Sequence, residues 1–132
     1  MLTIEELDHV VLNVADVERS LAFYVDGLGL EGERVDAFRR GEVKFPSVRV
    51  TSGTIIDLFP PRMHGTTDRA PGNLNHICLV TANTPDEIRT HLEAIGASIE
   101  QGPVEGFGAR GVGLSYYTRD PDGNGIELRT YG

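Results

Sequence analysis

The chain is one short pattern written twice. Leu7-Asp8-His9-Val10-Val11-Leu12-Asn13 is matched by Leu74-Asn75-His76-Ile77-Cys78-Leu79-Val80. Each stretch alternates with the two-residue period of a half-buried strand. In the first, Val10, Leu12 and Val14 share the apolar face, and His9, Val11 and Asn13 take the other. A helix is predicted after each copy. Asp16 is a good N-cap, and Val17, Leu21, Tyr24 and Leu28 then recur at helical spacing until the glycines 27 and 29. Thr84-Pro85-Asp86-Glu87 is a capping box with proline at the first helical position. It opens a helix carrying Ile88, Leu92 and Ile95, closed by Gly96.

Each copy also ends alike. Gly53 stands four residues before Asp57 in the strand Thr54-Ile55-Ile56-Asp57-Leu58-Phe59, and Gly123 stands four before Glu127. His9 to Asp57 is 48 positions and His76 to Glu127 is 51. Residues 30–39 and 43–51 are expected as two further strands in the first copy, and residues 97–103 and 113–119 in the second. The glycine-rich stretch from Gly102 to Gly113 lacks a phosphate-binding spacing and is read as a mobile flap. Asp120-Pro121-Asp122-Gly123-Asn124 is hairpin chemistry, because proline presets a negative φ and glycine allows a positive one.

The result is a duplicated strand-helix-three-strand unit. Its modules run over about 1–62 and 74–132, joined by a Pro/Gly-rich linker at 63–73. At 132 residues the chain can bury one sizeable core. Half of it would leave a sheet face uncovered, so the modules are expected to pack together with local two-fold symmetry.

The formal net charge of −8 argues against nucleic acid or an anionic membrane surface as partner, since phosphate binding needs a basic face. The single cysteine, Cys78, rules out an internal disulfide and fits a reducing compartment. No signal peptide and no apolar run of bilayer-spanning length stand out, so the expected setting is the cytoplasm.

In both copies the first strand carries a histidine off its apolar face, and the last strand carries a carboxylate off its apolar face. Where each helix covers the apolar side of its sheet, His9, Asp57, His76 and Glu127 line the other side. Two imidazoles and one or two carboxylates converging in this way make a divalent-metal site. Imidazole suits iron, nickel, zinc and cobalt, and carboxylate adds affinity for manganese, so the residue types leave the ion open.

At these positions the chain resembles the vicinal oxygen chelate superfamily, which includes glyoxalase I, fosfomycin-resistance and bleomycin-binding proteins, and extradiol dioxygenases. The resemblance rests on Leu7-Asp8-His9-Val10, on Ser20-Leu21-Ala22-Phe23-Tyr24 with Gly27-Leu28-Gly29-Leu30, on Asn75-His76-Ile77, and on Asp120-Pro121-Asp122-Gly123-Asn124 leading to Ile126-Glu127-Leu128. It covers nearly the whole chain. The implied fold is α+β, two βαβββ modules whose mixed sheets curl around a metal cleft. By this resemblance His9, His76 and Glu127 fall on metal-ligand positions, and Asp57 falls where glyoxalase I has a fourth ligand, a glutamate. The resemblance also implies a small-molecule substrate and a homodimer.

Three functions follow as expectations. One is glyoxalase-like lyase or isomerase chemistry on a small substrate with vicinal oxygens, with Asp57 as a metal ligand or as the base. Another is cleavage of a catechol-like ring, with Tyr117 as catalytic acid or base; Ser115-Tyr116-Tyr117 is similar to the dioxygenase Ser-Phe-Tyr stretch. A third is a non-catalytic protein that sequesters an antibiotic. Structural readings stand beside these. Asp57 is equally a solvated strand residue and Tyr117 a packing aromatic, His64 and His91 are surface residues, and Cys78 is core filler. Arg49, Arg110, Arg119 and Arg129 are read as solvated, with an anionic substrate as the alternative.

Overall fold

The structure, a computed structural model, describes residue 3, residues 5–64, residue 74, residues 76–108 and residues 110–132. It divides into two compact units, Met1–Asp68 and Arg69–Gly132. Most of the expected linker, and Asn75 of the second motif, lie outside the described residues.

The first unit holds a four-stranded mixed sheet in the order β1-β4-β3-β2. Strand β1 (His9–Asn13) pairs in parallel with β4 (Thr54–Phe59), while β3 (Ser47–Thr51) and β2 (Glu31–Glu33) continue antiparallel. Parallel neighbours cannot be joined by a tight turn, so the chain leaves β1 through a helix. That helix is α1 (Val17–Leu21), capped where Asp16 Oδ1 accepts the Arg19 amide at 3.2 Å. It widens into a π-helical turn over Ala22–Gly27, where the Leu28 amide reaches back five residues to the Phe23 carbonyl at 2.9 Å. Val17, Leu21 and Tyr24 of the helical segment are buried, as are Leu12, Val48, Ile56 and Leu58 on one face of the sheet and Val14 just past β1. The apolar stripe read from the sequence is therefore the covered face, and His9, Val11 and Asn13 stay exposed on the other.

The second unit repeats the plan in the order β5-β8-β7-β6. Strand β5 (His76–Val80) runs parallel to β8 (Gly125–Thr130), followed antiparallel by β7 (Gly111–Arg119) and β6 (Gln101–Gly108). Helix α3 (Pro85–Ala94) opens on the capping box. Thr84 Oγ1 accepts from the Glu87 amide, and Glu87 Oε1 accepts from the Thr84 amide at 3.1 Å. Ile88 and Leu92 bury against Tyr116, with Ile95, Ala97, Ile99 and Leu128 around them. Both sheets are open rather than closed barrels, which makes the fold α+β. Among the described residues no helix is long and apolar enough to cross a membrane.

Two segments depart from expectation. Residues 30–39 give only the short β2. Arg34 then takes a left-handed conformation (φ 58°), and Val35–Arg39 forms α2, tied down by Arg39, whose guanidinium donates to both oxygens of Glu18 at 2.7 and 2.8 Å. The glycine-rich stretch, expected as a loop, is largely strand. Gly106 pairs with Gly113 and Gly108 with Gly111, so both arms are strand, and a Cβ on Gly113 would sit 2.9 Å from the Thr130 carbonyl. The strand expected at 97–103 accordingly starts later and runs further.

The terminal turn forms as its residues dictate. Asp120 Oδ1 accepts from the amides of Asp122 (2.9 Å) and Asn124 (2.8 Å), and Gly123 takes φ 82°. This turn sets the register in which β8 lies against β7.

Candidate metal-binding faces

Residues paired across a sheet share a face, and alternate residues along a strand return to it. In the second unit Cys78, Glu127 and Tyr117 therefore form one row across β5, β8 and β7, with Val80, Arg129 and Ser115 in the next. His76, two residues before Cys78, lies on the same open face. In the first unit the corresponding row is Val11, Asp57, Ser47 and Glu33, with His9 two residues before Val11. Helices cover the opposite faces, so in each unit imidazole and acid share the face away from the helix.

The second unit brings its imidazole and acid together: His76 Nε2 stands 3.1 Å from Glu127 Oε1. Glu127 is 3 % exposed, deep enough that each oxygen needs a partner. Oε2 accepts the Ser115 hydroxyl at 2.6 Å and the Arg129 guanidinium at 3.2 Å from Nε and 2.9 Å from Nη2. Burial pushes the carboxyl up, but the bonds from Ser115, Arg129 and Tyr117 outweigh it and hold the group at about 2. The same contacts act in reverse on their partners. Burial, then Glu127, raises the Tyr117 hydroxyl, and Glu127 raises Arg129. The Tyr117 ring meets the His76 ring edge-on at 5.6 Å.

In the first unit Asp57 is also buried rather than solvated, and its Oδ1 accepts the Ser47 hydroxyl at 2.6 Å. His9 Nδ1 lies 2.7 Å from Asp8 Oδ2. That bond raises the imidazole above its ordinary value against some desolvation, and the charge of Asp57 adds to it. With Nδ1 engaged, Nε2 is the nitrogen left to face a ligand.

The donor chemistry fits a divalent ion. Two ligand atoms about 2.1 Å from one metal are about 3.0 Å apart at a right angle and about 3.4 Å apart at the tetrahedral angle, which brackets the His76–Glu127 separation. Among the described residues no group of three or more His, Cys, Asp or Glu side chains is placed to hold a metal ion.

Other expected roles resolve differently. Cys78 is exposed beside Glu127, not core filler; desolvation of its sulfur and then the Glu127 charge raise the thiol. Arg129 is buried, not solvated, because Glu127 and the Gly106 carbonyl (2.9 Å) take its donors. Arg49 is half-buried on Glu33, whereas Arg119 is exposed on Glu100 and Arg110 is exposed over the Tyr131 ring. His64 is half-buried with Nε2 2.8 Å from the Phe59 carbonyl, and His91 is exposed. Ser47 carries no role in the sequence reading, and Ser115 enters it only as part of Ser115-Tyr116-Tyr117. The readable signal was position: Ser47 sits opposite Asp57 once the hairpin register is known.

The sequence signature of the Glyoxalase/Bleomycin resistance protein/Dioxygenase superfamily matches residues 6–128. The chain is 32% identical over 130 residues to Virulence protein STM3117 of Salmonella typhimurium, covering 98% of this chain and 87% of that protein. A crystal structure of that protein superposes with a TM-score of 0.82, over 99% of this chain and 100% of the other, at 30% identity. Glyoxalase domain-containing protein RDO1 of Mycosarcoma maydis is 31% identical, over 98% of this chain and 70% of its own length. Catechol-2,3-dioxygenase of Bacillus subtilis is 30% identical over 97% of this chain, which spans 43% of that enzyme.

Proposed function

The chain belongs to the Glyoxalase/Bleomycin resistance protein/Dioxygenase superfamily, and on that basis we propose that it is a divalent-metal-dependent enzyme of the glyoxalase-like type, acting on a small substrate with two adjacent oxygens. One observation carries this reading: each sheet presents an imidazole and a buried acid on the face away from its helix, with His76 and Glu127 already at the spacing of neighbouring ligands. His9, His76 and Glu127 are the residues that would hold the ion, whether iron, manganese, nickel, zinc or cobalt. When bound, the ion supplies a Lewis acid that polarises a substrate oxygen.

The chain's own groups do the rest. Asp57, with Oδ1 fixed by Ser47, is the base that moves a proton between substrate carbons, giving lyase or isomerase chemistry. Asp8 orients His9 so that one nitrogen faces the site. The protein works in the cytoplasm as a homodimer. Leu7, Val11, Leu74 and Val80 support that assembly, since they stay exposed at and before the edge strands β1 and β5.

A second reading has an observation of its own. Tyr117 lies opposite Glu127 across β7 and β8 and meets the edge of the His76 ring, which supports a phenol acting beside the acid, and a relative is named a catechol dioxygenase. Ring cleavage would then use Tyr117 as acid or base. The deciding experiment loads stripped protein with each metal under anaerobic conditions. It then follows isomerisation of hydroxy-ketones and thiol adducts, and oxygen uptake with catechols. Isomerisation abolished by Asp57→Asn supports the first reading. Oxygen uptake reduced about 10²–10⁴-fold by Tyr117→Phe replaces it with the second. Tight binding of an apolar drug without turnover of any substrate contradicts both.

A further inference from the structure

We propose that Arg129 is the positioning residue of the metal site: it occupies one oxygen of Glu127 so that the other is presented to the ion alongside His76. This inference rests on the metal reading above and gives a role to a residue which that reading leaves idle.

The starting point is an anomaly of burial. Residues 127 and 129 are two apart on β8, so both point to the face away from the helix, and an arginine is ordinarily solvated. Instead the Arg129 side chain is 5 % exposed. Its fork is fully engaged. Nε and Nη2 both donate to Glu127 Oε2, Nη1 donates to the Gly106 carbonyl, and the guanidinium carbon lies 5.5 Å from the centre of the Tyr131 ring. Gly106 makes the room: a Cβ there would stand 3.2 Å from Nη2.

Such a pair is weak evidence of a stabilising device, since desolvation offsets the attraction of buried charges. Its geometric effect is definite. Ser115 and two guanidinium nitrogens converge on the same oxygen, Oε2. Oε1 is the oxygen on the His76 side. Glu127 is thereby held as a one-oxygen ligand, because bidentate chelation would require Oε2 to shed its donors. A lysine could supply the charge but not the fork that bridges Oε2 to a carbonyl on β6.

The duplicate module shows that this is not a requirement of the fold. Asp57 also accepts a serine hydroxyl, from Ser47 directly opposite it, but two residues later β4 carries Phe59 where β8 carries Arg129. The two acids differ: among the described residues a cation locks Glu127, and no ion pair holds Asp57. That suits Glu127 to hold an ion and Asp57 to change its contacts.

The test uses the full chain stripped of metal and titrated with Co(II), reading the visible absorption of bound cobalt and the affinity by chelator competition. Arg129→Lys should bind Co(II) about 10–100-fold more weakly, the usual loss when a ligand's supporting partner is removed, and with a changed cobalt spectrum. Gly106→Ala keeps the arginine but crowds Nη2, and should shift the spectrum with a smaller loss of affinity. Circular dichroism and melting of the metal-free proteins establish that each variant is folded; should Arg129→Lys fail to fold, Gly106→Ala carries the test alone. Wild-type affinity and spectrum in the folded variants would overturn the inference while leaving the metal reading intact. Absence of Co(II) binding by the wild-type chain would overturn both.

Discussion

At Glu127 burial and hydrogen bonding pull in opposite directions, and the donors win. Its carboxyl sits at about 2 in the folded chain against an ordinary 4.5. A folded value below the unfolded one means the group stabilises the fold fully above about pH 4.5, and that this contribution is lost as pH falls toward 2. Metal-free protein should therefore lose denaturation midpoint across that window, and Glu127→Gln should show a shallower dependence; equal slopes would count against the contacts described. Ser115→Ala should cost about 1–3 kcal/mol by equilibrium unfolding, because a buried carboxylate oxygen loses its shortest donor. These partners were only partly legible. Glu127 stood out by its alternation with Ile126 and Leu128, and the shared face of residues 127 and 129 was equally readable. What buries Arg129 is the Gly106 carbonyl, 23 residues away, and no local pattern announces it.

Among the elements, the legible ones have a single strong period. Strand β4 spans Thr54–Phe59 as read, and α3 begins at the capping box with Ile88 and Leu92 inward. Thr84→Ala should lower stability by about 1 kcal/mol, and Leu92→Ala by about 2–5 kcal/mol, both measured by chemical denaturation. A Thr84→Ala variant as stable as wild type would show that the cap is idle. The elements that differ from expectation also carry a signal in the sequence. Val35 and Phe38 are three apart, a helical spacing, and α2 forms there. The glycines of the supposed flap meet one another across β6 and β7, where the absence of side chains lets the two strands and the C-terminal backbone approach.

For the whole molecule, the duplication was the most informative feature, because it predicted two like units with the same uncovered face. The structure supplies both sheets in the same order, each with its helix on the far side from histidine and acid. Residue types alone left the ion and the reaction open, since the same imidazole and carboxylate set serves proton transfer and oxygen chemistry. The uncovered apolar residues at and before β1 and β5 argue for a dimer, and sedimentation should give twice the mass of one chain; a monomer at all concentrations would remove that part of the proposal.

The most direct measurement is the stoichiometry of metal binding to the stripped chain, taken together with His9→Ala, His76→Ala and Glu127→Ala. One divalent ion per chain in the wild type, with affinity reduced by each substitution in a protein that still melts cooperatively, is the predicted result. Binding that survives His76→Ala and Glu127→Ala unchanged, or no binding at all, would contradict the account.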